Sequence, residues 1–181
     1  MNHFLAMTAA AAIGLMGSSC AMMQKAAPGT LSDANMISVM NTADRADIEG
    51  GHLAQSKGTN PKVQAYGRQM VDDHSASLNQ SKQLSQRLNI APVAPALAEK
   101  LMTDHDETMQ SLRSKTGSDF DRSYIEHEIE MHEQLIKLVD NAAGSADNAA
   151  VKQHLLRAKP KLQSHLESAR GIKRMLVAQT N

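Results

Sequence analysis

The stretch SDFDRSYIEHEIEMHEQLIKLV, residues 118–139, determines the fold class because its apolar side chains recur with the period of an α-helix. Intervals of three and four residues place them on one face, with charged residues around the rest. Two ionisable side chains, Glu128 and His132, share that face. The pattern predicts a long helix that buries one stripe against partner helices. The stripe comprises Phe120, Tyr124, Ile125, Glu128, Met131, His132, Leu135, Leu138 and Val139.

Four further segments, three before this stretch and one after it, also have apolar residues at helical intervals. Asn60-Pro61 is a helix cap followed by proline at the first helical position. The segment NIAPVAP at 89–95 contains two prolines and is expected to break the chain. Pro160 lies inside the last predicted helix and is expected to kink it. The predicted helices cover about residues 32–57, 61–88, 96–113, 118–140 and 148–177, with Ser32 capping the first and Ser118 with Asp121 capping the fourth.

Short turns join the first helix to the second and the fourth to the fifth, so each pair is expected to form an antiparallel hairpin. These four helices are each roughly 35–45 Å long. The shorter third helix, flanked by prolines and a turn, connects the hairpins. The sequence therefore predicts an all-α fold: a ferritin-like antiparallel four-helix bundle of two long hairpins joined by a shorter crossover helix.

The composition narrows the function. The 181-residue chain has 19 Lys+Arg and 19 Asp+Glu, so its formal net charge is zero and it has no overall attraction for nucleic acid. Two Phe, two Tyr and no Trp leave few rings for stacking on bases. The sequence also lacks a phosphate-binding glycine loop and a nucleophile elbow. These features favour a protein that binds rather than catalyses, and we expect no nucleic-acid partner.

The first residues are typical of an export signal. Residues 1–20, MNHFLAMTAAAAIGLMGSSC, have the short apolar core and small residues of a signal peptide. Cys20, the only cysteine, directly follows, as the lipid-bearing cysteine of a lipoprotein would; ordinary cleavage after Ala21 is the alternative. Residues 21–31 are expected to form a tether and residues 32–177 the folded domain. We expect a periplasmic or outer-membrane location, with membrane attachment only through a lipid on Cys20.

Imidazole and carboxylate groups on the buried stripes are candidate metal ligands. Counting residues from the turns offsets Asp47 from His74 by about 4.5 Å along the bundle, so these two are expected to meet. The same count offsets His132 from His165 by about 12 Å and makes His154 the better match for His132. The candidate ligands are Asp47, His74, Glu128, His132 and His165.

A dinuclear iron or manganese site of the ferritin type also needs Glu-x-x-His motifs that face inward. The motif found here, Glu49-Gly-Gly-His52, is expected to face solvent, because Glu49 lies about 200° around the helix from Asp47. His105 lies on a stripe of the third helix, whereas His127 lies off the stripe of the fourth. The alternative is that the inward histidines are core residues satisfied by hydrogen bonds.

Three stretches resemble the bacterial family called domain of unknown function 4142. They are residues 46–80, which include VQAYGRQMVDDH at 63–74, SDFDRSYIEHEIEMHEQLIKL at 118–138, and KPKLQSHLESA at 159–169. The resemblance covers most of residues 32–176. It implies an exported protein, assigned to the periplasm or outer membrane, with a ferritin-like helical fold and no established biochemical role.

The resemblance also locates individual residues. Asp47 stands where the family usually has Glu. Glu128 and the pair Met131-His132 differ from the apolar residue and the Asp-His that are usual there. Four residues match those of the family by position: His74, His132, Pro160 and His165.

Two functional hypotheses follow. The first is a non-catalytic module of the cell envelope that binds a partner or supports stress tolerance. The second is a metal-binding bundle of the di-iron or di-manganese type. Residues 99–140 hold eleven acids and five bases, and residues 151–181 hold seven bases and one acid. This asymmetry indicates either complementary helix edges or a basic stripe for anionic lipid or an envelope polymer. The partner we expect is an envelope protein or a membrane surface.

Overall fold

The computed structural model describes residues 31–179, and every regular element among them is an α-helix. Its helices have the order and approximate lengths that the sequence predicts. The predicted signal peptide, residues 1–20, with Cys20, and the tether up to residue 30 lie outside the described residues. None of the helices in the described part is long and apolar enough to cross a membrane. The helices are α1 (Asp33–Lys57), α2 (Pro61–Leu88), α3 (Ala96–Ser114), α4 (Gly117–Ser145) and α5 (Ala149–Ala178).

Polar caps that the sequence predicts begin both helices of the first hairpin. The Ser32 hydroxyl accepts a hydrogen bond from the Asn35 backbone N–H, and the Asn35 side chain accepts one from the Ser32 N–H. Asn60 accepts from the Lys62 N–H at the start of α2. Asn148 has the same role at the start of α5. Each cap satisfies backbone donors that the first turn of a helix leaves free.

The predicted capping pair of α4 is wrong. The helix begins one residue before Ser118, at Gly117, whose φ of 57° is a left-handed conformation that glycine adopts without strain. The Asp121 carboxylate instead accepts hydrogen bonds from the Thr59 N–H at 3.0 Å, the Thr59 hydroxyl at 2.6 Å and the Asn60 N–H at 2.9 Å. It therefore fastens the α1–α2 turn to α4 across the two hairpins.

The packing of the helices confirms the predicted architecture. α1 packs along α2 and α4 packs along α5, and the two hairpins meet through α2 with α5 and α1 with α4. α3 crosses between them and lies mainly against α1. α5 stays helical through Pro160. The fold is thus an all-α bundle of two long hairpins joined by a shorter crossover helix.

The apolar core is divided into two clusters by a layer of buried polar side chains. One cluster contains Met36, Met40, Leu84, Leu135, Val139 and Leu155, near the α4–α5 turn. The other contains Val63, Met70, Leu112, Phe120, Tyr124 and Leu176, near the α1–α2 turn. Along these four helices, five buried ionisable residues lie between members of the two clusters: Asp47, His74, Glu128, His132 and His165. The clusters therefore hold the four helices in register around the polar layer.

α1 and α2 cross in close contact at two glycines, Gly51 and Gly67. A Cβ atom on Gly67 would lie 2.7 Å from the Gly51 carbonyl oxygen and 2.8 Å from the Ala54 Cβ. A Cβ atom on Gly51 would lie 2.6 Å from the Gly67 carbonyl oxygen. No side chain fits in this crossing, so the two glycines set the spacing of the first hairpin.

We predict that Gly67→Ala lowers the free energy of unfolding by about 1–3 kcal/mol, because the added methyl group forces the two backbones apart. Gly144→Ala is the matched control, since Gly144 is also helical but a Cβ atom added to it would have nothing within 4 Å. That change should be neutral or stabilising by up to about 1 kcal/mol. Urea unfolding followed by circular dichroism measures both, and equal effects of the two substitutions would contradict the close crossing.

Candidate metal centre

The polar layer brings together all five candidate residues predicted from the sequence. α1 supplies Asp47, α2 His74, α4 Glu128 and His132, and α5 His165. None of them is more than 4% exposed. Two groups have ligand atoms within 4.8 Å of one another: His74, His132 and His165, and separately Asp47, Glu128 and His132.

Asp47 and His74 meet as the residue count predicts, with Asp47 Oδ2 at 3.5 Å from His74 Nε2. The count was wrong for the second hairpin, because His132 Nε2 lies 3.3 Å from His165 Nδ1. α4 continues to Ser145, so His132 lies thirteen residues before its end, and His165 lies sixteen after Ala149. The offset is therefore about 4.5 Å rather than 12 Å.

Each imidazole is oriented by an acceptor on its outer side. His74 Nδ1 donates to Asp44 Oδ1 at 2.8 Å. His132 Nδ1 donates to the Glu128 backbone carbonyl at 2.9 Å, and His165 Nε2 donates to Asp73 Oδ2 at 2.8 Å. Carboxylate and carbonyl oxygens accept hydrogen bonds, so these ring nitrogens carry the hydrogens. The other nitrogen of each ring is left for the interior, an arrangement typical of histidines that bind metals.

The facing nitrogens of His132 and His165 have no hydrogen between them. Burial, reinforced by His74 and His165, lowers the pKa of His132 to about 3. Burial also lowers the pKa of His165 to about 4, despite its hydrogen bond to Asp73. Both rings are neutral at pH 7, and each already uses its single N–H on the outer side. Two lone pairs therefore point at each other across 3.3 Å.

This separation fits a shared metal ion. Two imidazole nitrogens at about 2.0–2.1 Å from a tetrahedral ion lie roughly 3.3 Å apart. The three rings have centroids 5.2 Å apart for His74 and His165, 5.3 Å for His132 and His165, and 5.8 Å for His74 and His132. One nitrogen of each ring lies within 4.8 Å of those of the other two rings, and the outer hydrogens point to other acceptors.

His74 differs from the other two in its charge. Burial alone would lower its pKa, but Asp47 and Asp44 outweigh burial and raise the pKa to about 9. The ring is therefore protonated at pH 7 and held between two carboxylates. Its Nε2 has no hydrogen-bond partner among residues 31–179. A metal ion bound to this nitrogen would replace its proton.

Two carboxyl groups complete the layer on the side of the tyrosines. Burial raises the pKa of Asp47 and, more strongly, that of Glu128, whose pKa Asp47 also raises. Both oxygens of Asp47 and Oε2 of Glu128 lack hydrogen-bond partners within the described part of the chain. Burial and the nearby charge of Glu128 raise the pKa values of Tyr66 and Tyr124. Unpaired buried oxygens are costly, and a cation beside them would remove that cost.

The arrangement suits one ion better than two. Both groups of candidate ligands include His132, whose Nδ1 already donates to a backbone carbonyl, so it offers one lone pair. Dinuclear ferritin-type centres also draw on four Glu side chains, whereas this layer offers two carboxyl groups at its centre. Glu49 is half exposed and bonded to Arg113, outside the layer, as the sequence predicts.

Two residues that orient the histidines, Asp44 and Asp73, were not predicted from the sequence. Asp44 precedes Asp47 by three residues and so lies on the same face of α1, a spacing that could have revealed it. Asp73 directly precedes His74 and therefore points elsewhere, towards α5. Nothing in the order of residues shows which side of α2 meets α5.

A second pair of histidines lies between α3 and α4. His105 is buried, with its Nε2 at 3.4 Å from Glu49 Oε2 and its ring centroid 6.5 Å from that of His127. His127, off the predicted stripe, is nevertheless partly buried because α3 covers it. Burial, and secondarily His105, lower its pKa to about 4. This pair belongs to the packing of the crossover helix rather than to the polar layer.

The depressed pKa of His127 predicts acid sensitivity. In the unfolded chain the imidazole of His127 has a pKa near 6.5, so it binds a proton more readily there than in the folded protein. The free energy of unfolding therefore falls as the pH drops from about 6.5 towards 4. Between pH 7 and pH 5, His127→Gln should lose about 1.5–2 kcal/mol less unfolding free energy than the unchanged protein. Urea titrations at both pH values test this, with the exposed His52→Gln as the control. Parallel pH dependence of all three proteins would contradict it.

The acidic residues of α4 and the basic residues of α5, which the sequence separates, form ion pairs with each other in the structure. α5 and α4 are joined at their outer edges by ion pairs of Lys159 with Asp140, Arg170 with Glu133 and Lys173 with Glu126. These support the interpretation as complementary helix edges. Such exposed pairs each contribute little to stability.

Comparisons with solved structures agree with the fold. CopM in its Cu(II)-bound form matches with a TM-score of 0.65 and 13% identity, over 80% of this chain and 97% of that chain. A protein described as secreted, DUF305 from Streptomyces coelicolor, matches with a TM-score of 0.59 and 13% identity, over 80% of this chain and 88% of that one. At this identity the likeness concerns the fold alone.

No curated protein matches the sequence. The family model described as domain of unknown function (DUF4142) matches residues 18–172, which include all five helices up to the last turns of α5. The match confirms the resemblance carried by the motifs around His74, His132 and His165. The chain therefore belongs to the DUF4142 family.

Proposed function

We propose that this protein is an exported helical bundle that binds a single divalent transition-metal ion through His74, His132 and His165. The observation that carries the proposal is the 3.3 Å contact between His132 Nε2 and His165 Nδ1, in two rings whose other nitrogens already donate to outer acceptors. Without a shared cation this contact is repulsive, and no hydrogen is available to bridge it. The role proposed is binding; no turnover is assigned.

The ligand chemistry favours copper or zinc. Imidazole nitrogens suit Zn, Cu, Fe and Ni, and the affinity of such sites for divalent ions rises towards Cu(II). The iron or manganese centre considered from the sequence would need more carboxylates than Asp47 and Glu128 provide. CopM, which shares the fold, was determined with Cu(II) bound. Cu(II) and Zn(II) are therefore the ions for which we expect the highest affinity.

Export is proposed on the signal peptide predicted for residues 1–20. A fold shared with a protein described as secreted supports it. A periplasmic or outer-membrane location, with or without a lipid on Cys20, would place the site where metal ions enter the cell. Partner proteins of the envelope would act in this proposal as recipients or donors of the ion.

The direct test is metal binding to the purified mature domain. We predict one equivalent of Zn(II) or Cu(II) by titration calorimetry, and a rise in melting temperature of about 5–10 °C at a hundredfold excess over the dissociation constant. His132→Gln and His165→Gln, made singly, should abolish both effects because each removes one of the converging lone pairs. His52→Gln, an exposed histidine, should retain both. If the unchanged protein binds neither ion, the proposed metal-binding function is wrong, and the bundle acts without metal.

The orienting carboxylates give a second prediction. Asp73→Asn should weaken metal binding about 10–100-fold, because the ring of His165 loses the charged acceptor that fixes its orientation. Asp72→Asn is the matched control, since Asp72 is the adjacent residue and faces solvent. The same calorimetric titration measures both. Equal affinities for the two variants would show that the hydrogen bond to His165 has no part in binding.

A further inference from the structure

A second group of metal-ligand side chains lies in a groove between α3 and α4. The groove has a volume of about 370 Å³, and its lining residues all belong to these two helices. His105 of α3 and His127 of α4 form part of the lining. Met131 also lines it, one helical turn after His127 and therefore on the same face of α4. The groove thus brings two imidazoles and a thioether together outside the polar layer.

His105 has a buried ring nitrogen without a partner. Its Nε2 donates to Glu49 Oε2 of α1 at 3.4 Å, since a carboxylate accepts hydrogen bonds. Its Nδ1 is buried and has no hydrogen-bond partner among residues 31–179. Because no residue of α1 lines the groove, Nε2 points away from it and the lone pair of Nδ1 is left on the side of α4. A carboxylate that holds one ring nitrogen while the other stays free is typical of histidines that bind metals.

His127 supplies the facing imidazole. Its ring centroid lies 6.5 Å from that of His105. Two imidazoles that share an ion at a wide angle, with about 2.0 Å from each nitrogen to the ion, have centroids roughly 6 Å apart. Burial, and secondarily His105, lower the pKa of His127 to about 4, so its ring is neutral at pH 7 and has a lone pair to offer. The ring is partly exposed, which gives an ion a route from solvent.

The third donor determines which ion suits the groove. Within the described part of the chain, no carboxyl oxygen completes a three-ligand group with these two histidines. Asp104 is paired with Lys100, and Glu130 is exposed at the rim. The remaining donor is the thioether of Met131, which is 9% exposed. A thioether is a soft ligand that selects Cu(I), and imidazole also suits copper, whereas Mg, Ca and Mn prefer oxygen ligands.

We propose that the α3–α4 groove binds one Cu(I) ion through His105 Nδ1, His127 and the thioether of Met131. The site is separate from the three-histidine layer and does not depend on the function proposed there. Its aliphatic walls favour an ion of single charge, because burying a higher charge away from water costs more. These wall residues are Leu97, Leu101, Leu135 and Leu138. The protein thereby has one site for a divalent ion in the bundle core and one for Cu(I) beneath the crossover helix.

The experiment fills the three-histidine layer first. The mature domain receives one equivalent of Zn(II) and is then titrated with Cu(I) without oxygen, in competition with the chromogenic chelator bathocuproine disulfonate. We expect one equivalent of Cu(I) to bind, and copper-edge X-ray absorption to show a sulfur ligand besides nitrogen. Met131→Leu, which nearly conserves side-chain volume, should remove the sulfur signal and raise the dissociation constant for Cu(I) about tenfold or more. Met102→Leu, the same change on α3 outside the groove lining, should alter neither.

The outcomes distinguish this site from the three-histidine layer. His127→Gln should weaken Cu(I) binding while its Zn(II) titration matches that of the unchanged protein. A bound Cu(I) without a sulfur ligand, or equal Cu(I) affinities of Met131→Leu and Met102→Leu, would overturn the proposal, and so would the absence of Cu(I) binding. A failure of Zn(II) to bind would contradict the three-histidine site alone, because the same Cu(I) titration can be made on His165→Gln, in which that layer lacks a ligand.

Discussion

The structure depends on a layer of histidines and carboxylates buried between two apolar clusters. Burying such groups is unfavourable unless each polar atom finds a partner. The outer nitrogens of the three central histidines have partners, but the inner nitrogens of His132 and His165 face each other without a hydrogen. The apolar clusters on either side supply the burial that holds this arrangement together. The fold is therefore built around a cost that a cation would relieve.

In the proposed metal site, the outer hydrogen bonds fix the orientation of the three imidazoles before an ion binds. Asp44, Asp73 and the Glu128 carbonyl each fix one imidazole, and each comes from a different helix of the bundle. Fixing a ring in advance removes the entropy that a flexible ligand would lose on binding. Two contacts outside the layer also hold the imidazoles in place. The close Gly51–Gly67 crossing fixes the spacing of α1 and α2, and the Asp121 hydrogen bonds fix one hairpin relative to the other.

Much of this could be predicted from the sequence, for a physical reason. Helical period and caps such as Ser32 and Asn60 are local, so they determine the helices and their buried faces without tertiary information. The inward direction of His74, His132 and His165 followed from those faces. The level of His132 relative to His165 did not, because the ends of α4 and α5 at their turn differ from the expected ones by about five residues in all, which shifts the level by about 7.5 Å.

Hydrogen bonds between helices that are distant in the sequence could not be predicted from local sequence patterns. Asp121 has the spacing of a local cap for α4 but bonds to the α1–α2 turn, and Asp73 has the pattern of a surface residue but bonds to His165. In both cases the acidic side chain could accept hydrogen bonds either from its own helix or solvent, or from a neighbouring helix. The packing of the hairpins determined which of these partners it has. The partial burial of His127 similarly depends on where α3 crosses.

The most direct measurement is anomalous X-ray diffraction from crystals of the domain grown with one equivalent of Zn(II). We predict a single strong peak between the three rings, about 2.0–2.1 Å from His132 Nε2 and from His165 Nδ1. A polar layer without such a peak, with zinc found only at exposed side chains such as His52, would contradict the central claim.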